Sequence, residues 1–242
     1  MSGTSGKSPD QISSTASANP PGEASPRERV YRNRTSVERR AERRDKLLEA
    51  AKAAFADQGY ARTSIEHLCA AAGISTRNFY EEFARKEDVL FALYDTVNGQ
   101  ALEAALAATR QAPLDVVARA QAGVRAYLRV MTADPRLARI SYVESVGVSA
   151  EMERHRSASY RGFAALIEQQ AGELMAAGFI PRRDFSLTAI ALVGAVKELG
   201  VATVSGEADG LDVRIERAAD EAARLVVAAI LTPSLQGLLG SA

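Results

Sequence analysis

Apolar positions recur at helical spacing along most of the chain, and no stretch of any length alternates apolar and polar residues as a strand does. Leu47, Leu48, Ala51, Ala54 and Phe55 stripe a predicted helix over 37–58, which Gly59 ends. The stretch 63–83 reads as two short helices joined by a tight turn. Ile65 and Leu68, with the small Cys69 and Ala72, form the inward side of the first, and Gly73 supplies the backbone angle for a sharp stop. Phe79 and Phe83 fall one turn apart on the second. Leu90, Leu93, Val97 and Ala101 carry a fourth helix towards Thr109, before Pro113. Further helices are predicted over 114–133 (Val117, Val124, Tyr127, Leu128, Met131) and from Pro135 through Leu137, Ile140 and Val143, fading near Gly147. A long one is expected over 151–177, and two more over 185–205 and 211–231. The predicted class is all-α.

Within 63–83 the polar residues are as ordered as the apolar ones. Thr63 is placed to cap the first short helix, with Glu66 closing a capping box, and Ser75 to cap the second. Thr76, Arg77 and Tyr80 are then left pointing away from the core. A helix whose first turn exposes groups able to bond bases and phosphates is what major-groove reading requires. Most helical hairpins touch no nucleic acid, so the flanking sequence has to decide. Upstream, Arg27, Arg29, Arg32, Arg34, Arg39, Arg40, Arg43, Arg44 and Lys46 crowd together, a suitable arm for backbone or minor-groove contact. Downstream, Arg85 and Lys86 stand at a helix start, where two cations are out of place unless a phosphate shares the site.

Composition narrows the classes. Lys and Arg total 30 and so do Asp and Glu, so net charge says nothing of an anionic partner and only its distribution does. A single cysteine, Cys69, rules out a disulfide framework and reads as a small core residue. The most apolar run, 185–204, is interrupted by Lys197 and Glu198, and no secretory pattern opens the chain, so a cytoplasmic protein without a membrane span is expected. Residues 1–26, rich in Ser, Gly, Pro and Ala, are expected to be disordered. The last two predicted helices are apolar on several sides, and a short link makes them antiparallel neighbours. Cover from a second copy of the chain would make a symmetric four-helix interface, although burial within one subunit is the plainer alternative.

The stretch from about residue 43 to 93 resembles the tetracycline-repressor (TetR) family of bacterial regulators. The residues that carry the likeness are Phe55, Gly59 and Tyr60; Thr63, Ser64 and Ile65; Ala71 to Ser75; and Phe79, Tyr80, Phe83, Lys86 and Glu87. Downstream only the style matches, several helices and then an apolar pair. The resemblance implies a helix-turn-helix DNA-binding domain over 37–85, after a tail and arginine-rich arm over 1–36. A larger helical effector-binding and dimerisation domain would occupy 86–235. It implies phosphate contacts from Thr63, Tyr80 and Lys86, and base reading from the helix opened by Ser75 and Thr76. Many relatives have Lys-Gly-Thr after the serine where this chain has Thr76, Arg77 and Asn78, so these residues are expected to choose the site, Arg77 through guanine and Asn78 through adenine. The expected protein is a homodimer, joined through its last two helices, that leaves a palindromic double-stranded DNA operator when a small-molecule effector binds. Tyr127, Met131, Tyr142, Tyr160 and Phe163 are the candidate effector contacts, combining bulk with hydroxyl groups.

Two rivals stand beside that reading. Glu151 and His155 lie one helical turn apart, but two ligands are too few for a metal site and no further His or Cys is placed to complete one. No phosphate-cradling glycine loop or nucleophile motif is present, so neither enzyme activity nor a cofactor is expected. The other rival is a DNA-binding helical scaffold without a ligand, which a cavity in the second domain would disfavour.

Overall fold

The computed structural model describes residues 26–205 and 209–231, with side chains over 37–205 and 209–229. The expected disordered tail, up to residue 25, lies outside these bounds, and so do the side chains of Arg27, Arg29, Arg32 and Arg34. The chain divides into two compact units, 1–42 and 43–242, the second of which holds the DNA-binding helices and everything downstream of them.

Helices α1 (Pro26–Gln58), α2 (Ile65–Ala72), α3 (Thr76–Glu82), α4 (Lys86–Gln111) and α5 (Val116–Ala133) are succeeded by the short α6 (Pro135–Arg139). α6 runs directly into a π-helical turn, Ile140–Glu144, before α7 (Ala150–Ala176), α8 (Ser186–Ser205) and α9 (Leu211–Leu231). Among the described residues there is no strand, in agreement with the all-α expectation. α1 begins eleven residues before the expected start at Val37. The glycines that end α1 and α2 do so as anticipated, Gly59 at φ 90° and Gly73 at φ 66°.

The cap of α2 is displaced by one residue from the expectation. Ser64, not Thr63, accepts from the His67 amide at 3.1 Å. Thr63 is 2 % exposed, and its hydroxyl donates to the Gly59 carbonyl at 2.9 Å. Two adjacent hydroxyls compete for one cap, and the one that tertiary packing leaves outside takes it.

One core joins the N-terminal helices to those downstream. Phe55 and Leu47 of α1, Leu68 of α2 and Phe79 of α3 pack with Val89, Leu90 and Tyr94 of α4, and also with Ile140 and Met152. Each large apolar side chain fully buried here contributes about 1.5–3 kcal/mol. Ile65 and Ile74, expected inside, lie at the margin of this cluster. A second cluster holds Val97, Ala101 and Ala105 of α4 against Tyr127, Leu128 and Met131 of α5, with Tyr142, Ile215 and Ala218.

The π turn explains a misread periodicity. Ser145 donates to the carbonyl of Ile140 at 3.0 Å, a bond five residues long, so one extra residue is accommodated. Ser141 and Tyr142 are thereby buried together, while Val143, expected to be an apolar anchor, is 54 % exposed.

α8 also departs from expectation. Its 20 residues, with a mean window hydropathy of 1.7, are by length and composition enough to cross a bilayer in spite of Lys197 and Glu198. It packs instead against α7 and α9. Its other side stays open: Leu187 is 79 % and Ile190 56 % exposed, with Ala191, Gly194 and Ala202 exposed at the same helical spacing.

Candidate nucleic-acid interface and ligand cavity

α3 stands on Phe79, which is fully buried, and offers its other side outward. Ser75 caps it by accepting from the Asn78 amide at 3.1 Å. Thr76 is exposed, the Arg77 side chain is 89 % exposed, and Tyr80 is 60 % exposed with its ring edge against Phe79. Asn78 is half-buried. Five of the predicted contact residues are thus brought together on one short helix and its cap.

The two glutamates at the end of α3 are turned to other uses. Glu82 has a side chain only 2 % exposed and lies 3.7 Å from the Arg43 guanidinium. Glu81 lies 3.4 Å from Arg77, one turn back. An exposed pair of this kind is worth at most about 1 kcal/mol, so it parks Arg77 without preventing its transfer to another acceptor.

Two predicted phosphate contacts are placed differently. The Thr63 hydroxyl faces inward, onto the Gly59 carbonyl. Lys86 directs its ammonium at the carbonyls of Tyr60 (2.8 Å) and Thr63 (2.7 Å) and lies 4.1 Å from the Tyr60 ring centroid. Partial burial lowers its pKa from the ordinary lysine value. It therefore clamps the link between α1 and α2 from the first turn of α4. Arg85, the other cation expected at a phosphate, bonds Asp88 at 3.0 Å and Glu151 of α7 at 3.1 Å. A lysine or arginine at a helix start has the same sequence signature whether its partner is a phosphate or a protein oxygen.

The same link is held from the far side by Glu144, at the end of the π turn. Its Oε2 accepts from the Tyr60 amide at 2.9 Å, and its Oε1 lies 3.1 Å from the Arg139 guanidinium. Glu151 and His155, the candidate acid–base pair, are engaged separately: Glu151 with Arg85, and His155 Nε2 with Asp95 Oδ1 at 2.5 Å.

A cavity of about 160 Å³ lies among α4, α5, α7 and α8. Tyr127, Tyr142, Tyr160 and Phe163, four of the candidate effector contacts, line it. Met131 does not: it is fully buried in the second core cluster. The Tyr127 and Tyr142 hydroxyls satisfy each other at 2.8 Å, and burial pushes the Tyr142 phenol up to about 12 and that of Tyr127 well above its ordinary value. Sequence reasoning missed Arg119, Gln170, Thr109 and Asn98, polar side chains that also line the cavity. Gly200 allows Tyr142 its place, since a Cβ there would overlap the tyrosine hydroxyl and come within 3.1 Å of its Cζ. Gly200→Ala is accordingly expected to displace that ring and cost about 1–3 kcal/mol, read by denaturant unfolding.

Comparison with known proteins agrees with this geometry. Residues 47–93 match the family model "Bacterial regulatory proteins, tetR family". No curated protein sequence matches the chain. Among solved structures, a putative TetR-family transcriptional regulator from Syntrophomonas wolfei is similar at a TM-score of 0.68 and 22% identity, over 80% of this chain and 99% of that one. FadR from Bacillus subtilis, solved in complex with stearoyl-CoA, gives 0.66 at 18% identity, over 76% and 98%. AibR, in complex with isovaleryl coenzyme A and operator DNA, gives 0.58 at 22% identity, over 79% and 99%. At such identities these likenesses show the fold alone. Residues 47–93 thus match the tetR family's model over the helix-turn-helix, and the helices that follow share the fold of these solved structures.

Proposed function

We propose that this protein is a homodimeric repressor that leaves a palindromic operator when a small apolar effector enters the cavity. Residues 37–85 serve as the DNA-binding domain and 86–235 as the effector and dimerisation domain. The observation that carries the reading is the cavity itself, lined by α4, α5, α7 and α8, with the helix-turn-helix at the N-terminal end of α4. A helical scaffold without a ligand has no use for such a space, since interiors otherwise pack to crystal density. That FadR from Bacillus subtilis holds stearoyl-CoA and AibR isovaleryl coenzyme A supports an acyl compound as the class of effector.

Thr76, Arg77 and Asn78 read bases, and Ser75 and Tyr80 bond the backbone. Thr63 and Lys86 act on DNA indirectly, by fixing the link that sets the angle of α2 and α3. Dimerisation uses the open apolar side of α8 with α9, whose Leu225 and Val213 are exposed. The small residues Ala191, Gly194 and Ala202 allow two helices to approach closely.

Selection of DNA fragments by the purified protein tests the whole reading, and a palindrome with half-sites about 34–36 Å apart, or a multiple of that, is the expected product. Failure to enrich any palindrome would sink it. On the selected site, Arg77→Ala is expected to lose about 1–3 kcal/mol of discrimination at one base pair while binding to unrelated DNA changes far less. Competition binding at fixed salt reads that difference.

A further inference from the structure

The geometry points to an uncharged carbonyl as the group the cavity recognises, held at one end by Arg119 and Gln170 on a predominantly apolar slot. The inference rests on the proposed effector role of the cavity and specifies its ligand. The cavity is elongated: Asn98 and Thr109 both line it and lie about 16 Å apart along α4, at roughly 1.5 Å per residue. α5, α7 and α8 each contribute lining residues over a comparable stretch, from Val116 to Tyr127, Tyr160 to Leu174 and Thr188 to Lys197. At the tyrosine end, the Tyr127 and Tyr142 hydroxyls already answer each other.

The other end is unanswered. Gln170 is only 8 % exposed, and its Oε1 accepts from Arg119 Nη1 at 2.6 Å, which fixes the amide with Nε2 on the opposite side. That Nε2 is buried without a hydrogen-bond partner, and so is Arg119 Nε. Two donors left unpaired beside a largely apolar slot are a costly arrangement in a folded protein, and an acceptor oxygen on the ligand offsets that cost. The charge of Arg119 is meanwhile matched by Glu173, whose Oε2 lies 2.6 Å from Nη1. A carboxylate brought there would face Glu173 across the same guanidinium, so Arg119 would offset little of the loss of its hydration. A neutral ester, thioester or amide oxygen carries no such cost. The ligand is therefore a linear apolar chain bearing a carbonyl, with the carbonyl at Arg119 and Gln170 and the chain running towards Tyr142.

Methyl octanoate, octanoate and octane are suitable probes, titrated against the full chain by thermal shift. Gln170→Glu keeps the acceptor for Arg119 and replaces only the free amide group. The expected result is that this variant weakens methyl octanoate about tenfold and leaves octane unchanged; because each probe is compared with itself, its own hydrophobicity cancels. Equal loss for both probes, or no loss for the ester, overturns the carbonyl assignment. Tighter binding of octanoate than of methyl octanoate overturns the uncharged head group while leaving the effector cavity in place. Stabilisation by none of the three overturns both this inference and the effector role on which it rests.

Discussion

Ile190→Glu is expected to yield a folded monomer whose affinity for a two-half-site DNA is lower by about 10²–10⁴-fold, because the second recognition helix no longer binds as part of the same molecule. Ile190 is 56 % exposed and does not line the cavity, so the substitution leaves the subunit's own packing intact and should change its stability by no more than about 0.5 kcal/mol. In a dimer built on α8 the same carboxylate would be desolvated beside Leu187 and Ala191, and a buried, unpaired charge costs several kcal/mol. Sedimentation distinguishes the cases directly. A variant that remains dimeric places the interface elsewhere, and a wild type that is monomeric removes the dimer from the proposed function altogether.

How much of this was legible in the sequence depended on whether a feature leaves a local trace. The α2–α3 hairpin does, since its apolar spacing, its glycine and its serine cap all lie within one short stretch. Tyr127, Tyr142, Tyr160 and Phe163 were legible as cavity residues because bulky side chains with polar tips sat on inward helical faces. Met131 shared the same periodicity and proved to be core, because spacing gives a side chain's direction and not whether an atom or a space lies in front of it. Arg119 and Gln170 were missed for the converse reason: a charged residue and an amide on a helix read as its solvated side. The roles of Lys86 and Glu144 have no local signature at all. Both act on Tyr60, and Glu144 lies 84 residues from it in the chain. Only a fold brings such groups together.

Glu144→Ala is expected to disconnect the cavity from the DNA-binding helices. Tyr142, which lines the cavity, and Glu144, which holds the Tyr60 amide, belong to the same π-helical turn two residues apart. A ligand that shifts Tyr142 moves Glu144 with it, and π turns have an α-helical alternative one residue different in register. Tyr60 is held from the other side by Lys86, so displacement of Glu144 re-aims a link whose two anchors must agree. Coupling of this kind is typically worth about 1–3 kcal/mol between the two sites. A double-mutant cycle measures it without an identified effector. Gly200→Ala, which crowds the Tyr142 hydroxyl, stands in for ligand and is expected to weaken binding to the selected operator about 5–150-fold, the range that coupling energy spans. In the Glu144→Ala background the same substitution should change operator affinity by less than about twofold, although it still destabilises the fold, since the ring is still displaced but no longer connected to Tyr60. If the two substitutions act additively on operator affinity, the π turn does not carry the signal and α4 alone must do so.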